Sequence, residues 1–285
     1  MDRRKFLKTI GTGIGGAACG NLLMPSHVGA KTAAGVSEFF GVLVDTTRCI
    51  GCMRCEMACA QAHNLPLPDI SNDSVFKHKR KTTETRWTVV NRYETEKGRI
   101  FVKQQCMHCN QPACVAACLV KAMKKRKEAH VTWDTNCIGC RLCMFSCPFD
   151  MTKFEYNSAA PKIQKCNLCW DRFQEGEIFP ACVEACPVEA LKFGTRRNIL
   201  DEANRRFFQN PNNYVHHVYG GNEVGGTSYL YLSAVPFEQL GFRIDLGTIA
   251  YPEFTTGFLY AVPFVLVLLP LILLGMNRAT RREED

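Results

Sequence analysis

The sequence predicts an α+β body built as two tandem modules, followed by a single transmembrane helix. Three observations carry this. Sixteen of the 17 cysteines fall into four runs of four. Only one stretch, residues 257–276, is uncharged and apolar for long enough to cross a bilayer. Between and after the runs, apolar residues alternate over segments of strand length. The 285 residues allow one or two domains plus extensions, and 46% hydrophobic with 22% charged residues excludes wholesale disorder.

The cysteine spacing points to the chemistry. Cys49, Cys52, Cys55 and Cys59 form C-x2-C-x2-C-x3-C, and Cys137, Cys140, Cys143 and Cys147 repeat it ahead of Pro148. Cys106, Cys109, Cys114 and Cys118 form C-x2-C-x4-C-x3-C. Cys166, Cys169, Cys182 and Cys186 form C-x2-C-x12-C-x3-C ahead of Pro187. A [4Fe–4S] cube takes one thiolate per iron. A tight loop delivers three of them, and in two-cluster proteins the last cysteine of each run reaches the other cluster. Four runs therefore predict four cubes in two pairs. Zinc ribbons use two cysteine pairs rather than triplets with a trailing fourth. Cysteines three apart in one loop cannot all pair as disulfides with good geometry.

The two ends address the chain. Asp2-Arg3-Arg4-Lys5-Phe6-Leu7-Lys8 precedes a glycine-diluted apolar run, and Val28-Gly29-Ala30 supplies small residues before Lys31. Residues 1–30 read as a signal peptide whose paired arginines look like a twin-arginine signal. That route exports folded proteins, so cofactors can be inserted in the reducing cytoplasm first. Cys19 falls inside this segment and is read as incidental. At the other end, Arg278, Arg281 and Arg282 follow the span. They place the tail, residues 277–285, on the cytoplasmic side and the bulk of the chain on the periplasmic side of the inner membrane.

The net charge of +8 does not indicate nucleic acid. Removing the signal leaves about +5, and sixteen thiolates against four oxidised cubes at about +2 each bring the loaded chain to about −3.

On the four runs, on Cys106-Met107-His108-Cys109 with Pro112 before Cys114, and on Pro180-Ala181-Cys182-Val183-Glu184-Ala185-Cys186-Pro187, the chain resembles the four-cluster ferredoxin-like subunits of membrane-associated oxidoreductases. These serve periplasmic nickel–iron hydrogenases, formate dehydrogenases and the dimethyl-sulfoxide-reductase group. With its twin-arginine signal and C-terminal span it looks most like the HybA-type subunits of hydrogenase 2. The resemblance covers residues 41–194, within a domain of residues 31–194, and implies a tandem ferredoxin-like fold with a nested pairing of runs. Carried over, Cys49, Cys52, Cys55 and Cys186 hold one cluster, and Cys59, Cys166, Cys169 and Cys182 the next. Cys106, Cys109, Cys114 and Cys147 hold a third, and Cys118, Cys137, Cys140 and Cys143 a fourth. Leu119 stands where the family has proline, which puts the local turn in doubt. With all cysteines present, His108 has no ligand role and is expected near the sulfurs or at the surface.

Elsewhere, Val42-Leu43-Val44, residues 99–105 and residues 130–133 read as strands entering runs. The stretch from Ala60 to Gln105 reads as an insertion with a basic hairpin carrying Lys77, Lys79, Arg80, Lys81, Arg86 and Arg92. These charges, and those between Lys121 and Lys127, read as solvated faces or as a docking surface for an acidic partner. The extension, residues 195–256, holds a helix capped by Thr195, a glycine-rich turn at residues 220–226 and a strand at residues 227–233.

The resemblance implies an electron-transfer subunit with no catalytic residue of its own. It would pass electrons between a catalytic partner, foremost a nickel–iron hydrogenase and otherwise a molybdenum or tungsten enzyme, and a membrane quinone or cytochrome partner. A free-standing enzyme would need an iron with an incomplete cysteine set.

Overall fold

The computed structural model describes residues 39–281; the expected signal segment with Cys19, and residues 282–285, lie outside the described residues. In chain order the main elements are β1 (Phe40–Asp45), α1 (Arg54–Ala62), β2 (Val89–Thr95), β3 (Gly98–Gln104), α2 (Ala113–Ala116), β4 (Met123–Lys125), β5 (Val131–Trp133), α3 (Leu142–Phe145), β6 (Lys153–Phe154) and β7 (Ile163–Gln164). They continue with α4 (Trp170–Gln174), α5 (Ala181–Glu184), β8 (Leu191–Thr195), α6 (Arg196–Gln209), β9 (Tyr229–Leu232) and α7 (Tyr251–Arg281). The strands expected before the first three runs are thus present, as is the hairpin in the long insertion.

The strand pairing follows the order of the cysteine runs. β1 precedes the first run and pairs antiparallel with β8, which follows the fourth, from Phe40↔Thr195 to Val44↔Leu191. β4 leaves the second run and pairs antiparallel with β5, which enters the third. The outer pair therefore encloses the inner one along the chain. β9 adds to the free edge of β1 in parallel, from Val42↔Tyr229 to Asp45↔Leu232, and completes a three-stranded sheet in the order β8-β1-β9.

Alternation along these strands divides the core. Val42, Val44, Tyr229 and Tyr231 face one cluster of buried side chains with Val102, Met107, Phe237 and Leu240. Leu43, Leu230 and Leu232 face the opposite side, where Ile199 and Ala203 of α6 cover them. Thr195 caps α6 by accepting from the Asn198 amide at 3.4 Å. Asp45, at the end of β1, is fully buried. It accepts from Arg206 Nη1 at 2.8 Å and from the Tyr214 hydroxyl at 2.9 Å, fixing α6 to the sheet. A separate small core of Met123, Val131, Phe154 and Ile163 surrounds Cys114 and Cys143.

The basic residues do not make a uniform face. Arg80 is paired with the buried Glu56 of α1, donating Nη2 to Oε1 at 2.6 Å and Nη1 to Oε2 at 3.1 Å. The Val90 amide donates to the same carboxylate at 2.6 Å, so one ion pair ties the first run to the hairpin. Lys124 pairs with Asp134 at 2.5 Å, as does Arg126 at 3.2 Å. Lys125 turns inward and donates to the carbonyls of Cys109 at 2.8 Å and Ala129 at 2.9 Å. The docking-surface reading of this segment is therefore corrected at Lys125. Its backbone pairs in β4 and its side chain serves the interior.

The C-terminal helix runs unbroken through Pro263 and Pro270, and over Tyr251–Arg278 it is long and apolar enough to cross a membrane. Membrane helices tolerate prolines in this way.

Removing one partner of a buried ion pair leaves the other charge uncompensated, at a cost of about 3–5 kcal/mol. Arg80→Leu is accordingly expected to lower the unfolding midpoint of the cluster-loaded chain substantially, in a denaturant titration followed by circular dichroism.

Candidate metal centres

Each cysteine run is bent by the same backbone device. The residue two after the first cysteine lies in the left-handed region in all four runs: Gly51 at φ 72°, His108 at 49°, Gly139 at 71° and Leu168 at 59°. This turns the amide of that residue back toward the preceding sulfur. Gly139 N donates to Cys137 Sγ and Leu168 N to Cys166 Sγ, each at 3.4 Å. The third cysteine then sits on a short helix: Cys55 on α1, Cys114 on α2, Cys143 on α3 and Cys182 on α5. Glycine is required at residue 51, because a Cβ there would lie 2.4 Å from the Phe101 ring.

The runs also end alike. After the second, third and fourth runs, the residue three beyond the last cysteine is left-handed: Lys121, Asp150 and Glu189. Its amide donates to that cysteine's carbonyl at 3.2, 3.3 and 3.4 Å respectively. Leu119 thus follows the same turn that Pro148 and Pro187 follow, with its side chain exposed. Further amides point at sulfur, Ala122 N at Cys118 Sγ (3.2 Å) and Met151 N at Cys147 Sγ (3.4 Å). The first run departs from this ending, since α1 continues past Cys59 to Ala62.

Burial opposes ionisation of most of these thiols. It pushes Cys49, Cys143 and Cys166 up to about 11, and Cys114 and Cys169 up to about 12. Neighbouring thiols add to the effect. Cys49 feels Cys186 and Cys52. Cys59 feels Cys166, Cys182 and Cys169. Cys109 feels Cys106, Cys114 and Cys147. Cys143 feels Cys137, Cys118 and Cys140. Cys55 also feels Cys182, Cys166 feels Cys106, and Cys114 feels Cys143.

This donor chemistry fits a polynuclear iron–sulfur group. Sixteen cysteines among the described residues are free of disulfides. Among the described residues, no three His, Cys, Asp or Glu side chains converge closely enough for one metal ion. A single zinc draws its sulfurs to about 2.3 Å, whereas a cube holds its thiolates at four separate corners. Amide donors to sulfur and buried ammonium groups suit an anionic group. Because a bound metal takes thiolates, loading displaces the protons that burial retains.

Three lysines lie among the thiols, Lys103 and Lys165 unmarked in the sequence reading and Lys125 read there as part of an exposed charge run. Lys103 is buried, with its charge facing Cys182, Cys55 and Cys166. Lys165 is buried and donates to the carbonyls of Val131 and Cys166. Burial pulls the Lys125 ammonium down to about 8. Lysines at strand positions carry no sequence signal for burial, so nothing marked these out. His108 is wholly buried rather than at the surface. Its Nδ1 accepts from the Val131 amide at 3.0 Å, and burial holds the ring well below its usual range. His63 Nε2 lies 3.6 Å from Cys169 Sγ, another contact absent from the sequence reading.

Residues 98–196 match the 4Fe-4S dicluster domain family. The hydrogenase-2 operon protein HybA of Escherichia coli O157:H7 is 34% identical over 99% of this chain and 95% of its own length. The chain belongs to the HybA-like family of iron–sulfur proteins. A HybA-like protein is thus joined by a second relative, from Nitratidesulfovibrio vulgaris Hildenborough, 45% identical over the whole of this chain and 78% of its own length. The iron-sulfur subunit of the nitrate-inducible formate dehydrogenase of Escherichia coli K12 is 33% identical over 67% of this chain and 66% of its own length. The ferredoxin-like expectation for the body is met at the level of this domain.

Because Leu119 already follows the turn used at Pro148 and Pro187, Leu119→Pro is expected to be tolerated and to stabilise by about 0.4–1 kcal/mol. A slightly raised melting temperature with unchanged iron content is the outcome to measure.

Proposed function

We propose that this chain is an electron-transfer subunit holding four [4Fe–4S] clusters in a relay. The observation that supports the reading is sixteen disulfide-free cysteines in four runs, each bent by a left-handed residue two places after its first cysteine. The ligand sets are Cys49, Cys52, Cys55 and Cys186; Cys59, Cys166, Cys169 and Cys182; Cys106, Cys109, Cys114 and Cys147; and Cys118, Cys137, Cys140 and Cys143. When bound, the clusters supply one-electron chemistry, and the protein sets their potentials through hydrogen bonds to sulfur, burial and nearby charge. The amides of Gly139, Leu168, Ala122 and Met151 serve that purpose here.

The outer pairing of β1 with β8 and the inner pairing of β4 with β5 support two nested dicluster modules, the first run working with the fourth and the second with the third. The chain itself makes or breaks no substrate bond. Its catalytic partner is a nickel–iron hydrogenase. The near full-length similarity to the hydrogenase-2 operon protein supports this over a formate-dehydrogenase or dimethyl-sulfoxide-reductase type of partner, because the formate-dehydrogenase subunit aligns over only 67% of this chain. The C-terminal helix anchors the chain in the inner membrane beside a quinone-reactive or cytochrome subunit. The body lies on the periplasmic side after export by the twin-arginine route.

Anaerobic purification in mild detergent through a C-terminal tag is expected to give about sixteen iron atoms per chain, with nickel in the same complex. Molybdenum or tungsten without nickel would assign the alternative partner. The nested pairing has its own test. Cys186→Ser and Cys52→Ser are expected to abolish or alter the same electron paramagnetic resonance signal. Loss of a signal shared instead by Cys186 and Cys169 would overturn it.

A further inference from the structure

Lys103 occupies an unusual place. It lies on β3, and its side chain is taken fully into the interior, with the residue 2% exposed. Its Nζ donates to Gln105 Oε1 at 2.8 Å, Gln105 Nε2 donates to the Tyr231 hydroxyl at 2.7 Å, and that hydroxyl donates to the Lys103 carbonyl at 2.8 Å. The three side chains form a closed ring of hydrogen bonds that fixes the ammonium. The Tyr229 ring lies 5.4 Å from it.

What offsets the burial of this ammonium is sulfur rather than a carboxylate. The Tyr229 and Tyr231 side chains that Lys103 meets pack in one buried cluster with Cys182, against Cys55 and Cys186, and the Lys103 charge faces Cys182, Cys55 and Cys166. Cys55, of the first proposed set, packs against the buried cluster that holds Cys182, of the second. Lys103 therefore stands where the two sets adjoin. Of the other buried lysines, Lys125 lies beside Cys109, and Lys165 beside the Cys166 carbonyl, its charge also facing Cys114.

Resting on the ligand sets proposed above, we propose that Lys103 is a fixed positive charge shared by the first two clusters, and that it raises the reduction potential of both. Reduction adds one electron to a cluster and breaks no bond. A cation held beside the cluster favours the reduced form by Coulomb attraction, and in a buried site salt screens that attraction little. Because the charge lies between two ligand sets, it acts on that pair and leaves the far end of the relay largely alone. Lys103 is a positioning residue of charge, not a ligand. The Gln105–Tyr231 ring is what prevents the ammonium from turning away.

The test is a potentiometric titration of the intact complex followed by electron paramagnetic resonance. Lys103→Met is expected to lower the midpoints of two of the four signals. At a fixed potential their reduced-to-oxidised ratio should fall at least tenfold, equivalent to 59 mV for one electron, with the other two signals unmoved. Lys103→Arg should restore the wild-type midpoints. Gln105→Glu keeps the lysine but sets a carboxylate beside it, and should move the same two signals in the same direction. Midpoints unchanged in both Lys103→Met and Gln105→Glu, or all four signals moving together, would overturn the assignment. If Lys103→Met loses its clusters, Gln105→Glu decides: a selective shift of two signals supports the proposal and the absence of one overturns it. Fewer than four cluster signals in the wild-type complex would instead overturn the ligand sets themselves.

Discussion

The rest of the structure depends on bending the backbone tightly enough to aim several sulfurs inward from a few residues. A left-handed residue two places after the first cysteine does this in every run, and the short helix that follows carries the third sulfur. Left-handed backbone costs an ordinary side chain of order 1–2 kcal/mol. Gly51 and Gly139 avoid that cost, whereas His108 and Leu168 bear it. Those two residues are also fully or almost fully buried, so packing holds them where backbone preference does not.

A chain that spends its interior on sulfur has little room for an ordinary hydrophobic core. The sheet of β8, β1 and β9 meets this by using both faces. One face packs tyrosines and valines toward the thiol-bearing loops, and the other packs leucines beneath α6. Polar groups drawn into the body are answered locally. Asp45 takes Arg206 and Tyr214, Glu56 takes Arg80, and Lys103 takes Gln105 and Tyr231 in turn. Apart from the Lys103–Gln105 bond, these contacts link segments well apart in sequence, so satisfaction of buried charge and assembly of the loops occur together.

Much of this was legible in the sequence because cysteine spacing is a rigid signal. The runs, the strands that enter them, the Thr195 cap and the apolar C-terminal helix all follow from local pattern. What escaped reading are contacts made by ordinary residues across long separations. Lys125 sits in a run of positive charge that resembles a solvated face, and its burial depends on carbonyls from Cys109 and Ala129 that no local pattern announces. The same holds for Arg80, whose partner lies on α1 before the insertion begins. The turn at Leu119 was doubted because proline is the visible marker, yet the left-handed Lys121 and its bond to the Cys118 carbonyl are what define it.

The parallel pairing of β9 with β1 has a consequence for the order of assembly. Thr46, at the end of the first strand, hydrogen-bonds to the Leu232 carbonyl at 2.8 Å, a separation of 186 residues. Contacts of that span bring a large loop-closure cost and slow folding. During synthesis the central strand β1 leaves the ribosome long before its parallel partner β9, and one of its edges stays open while all four cysteine runs emerge. The last strand acts as a closing seam. Until residue 232 arrives, the interior beneath the sheet remains accessible to the machinery that delivers iron and sulfide.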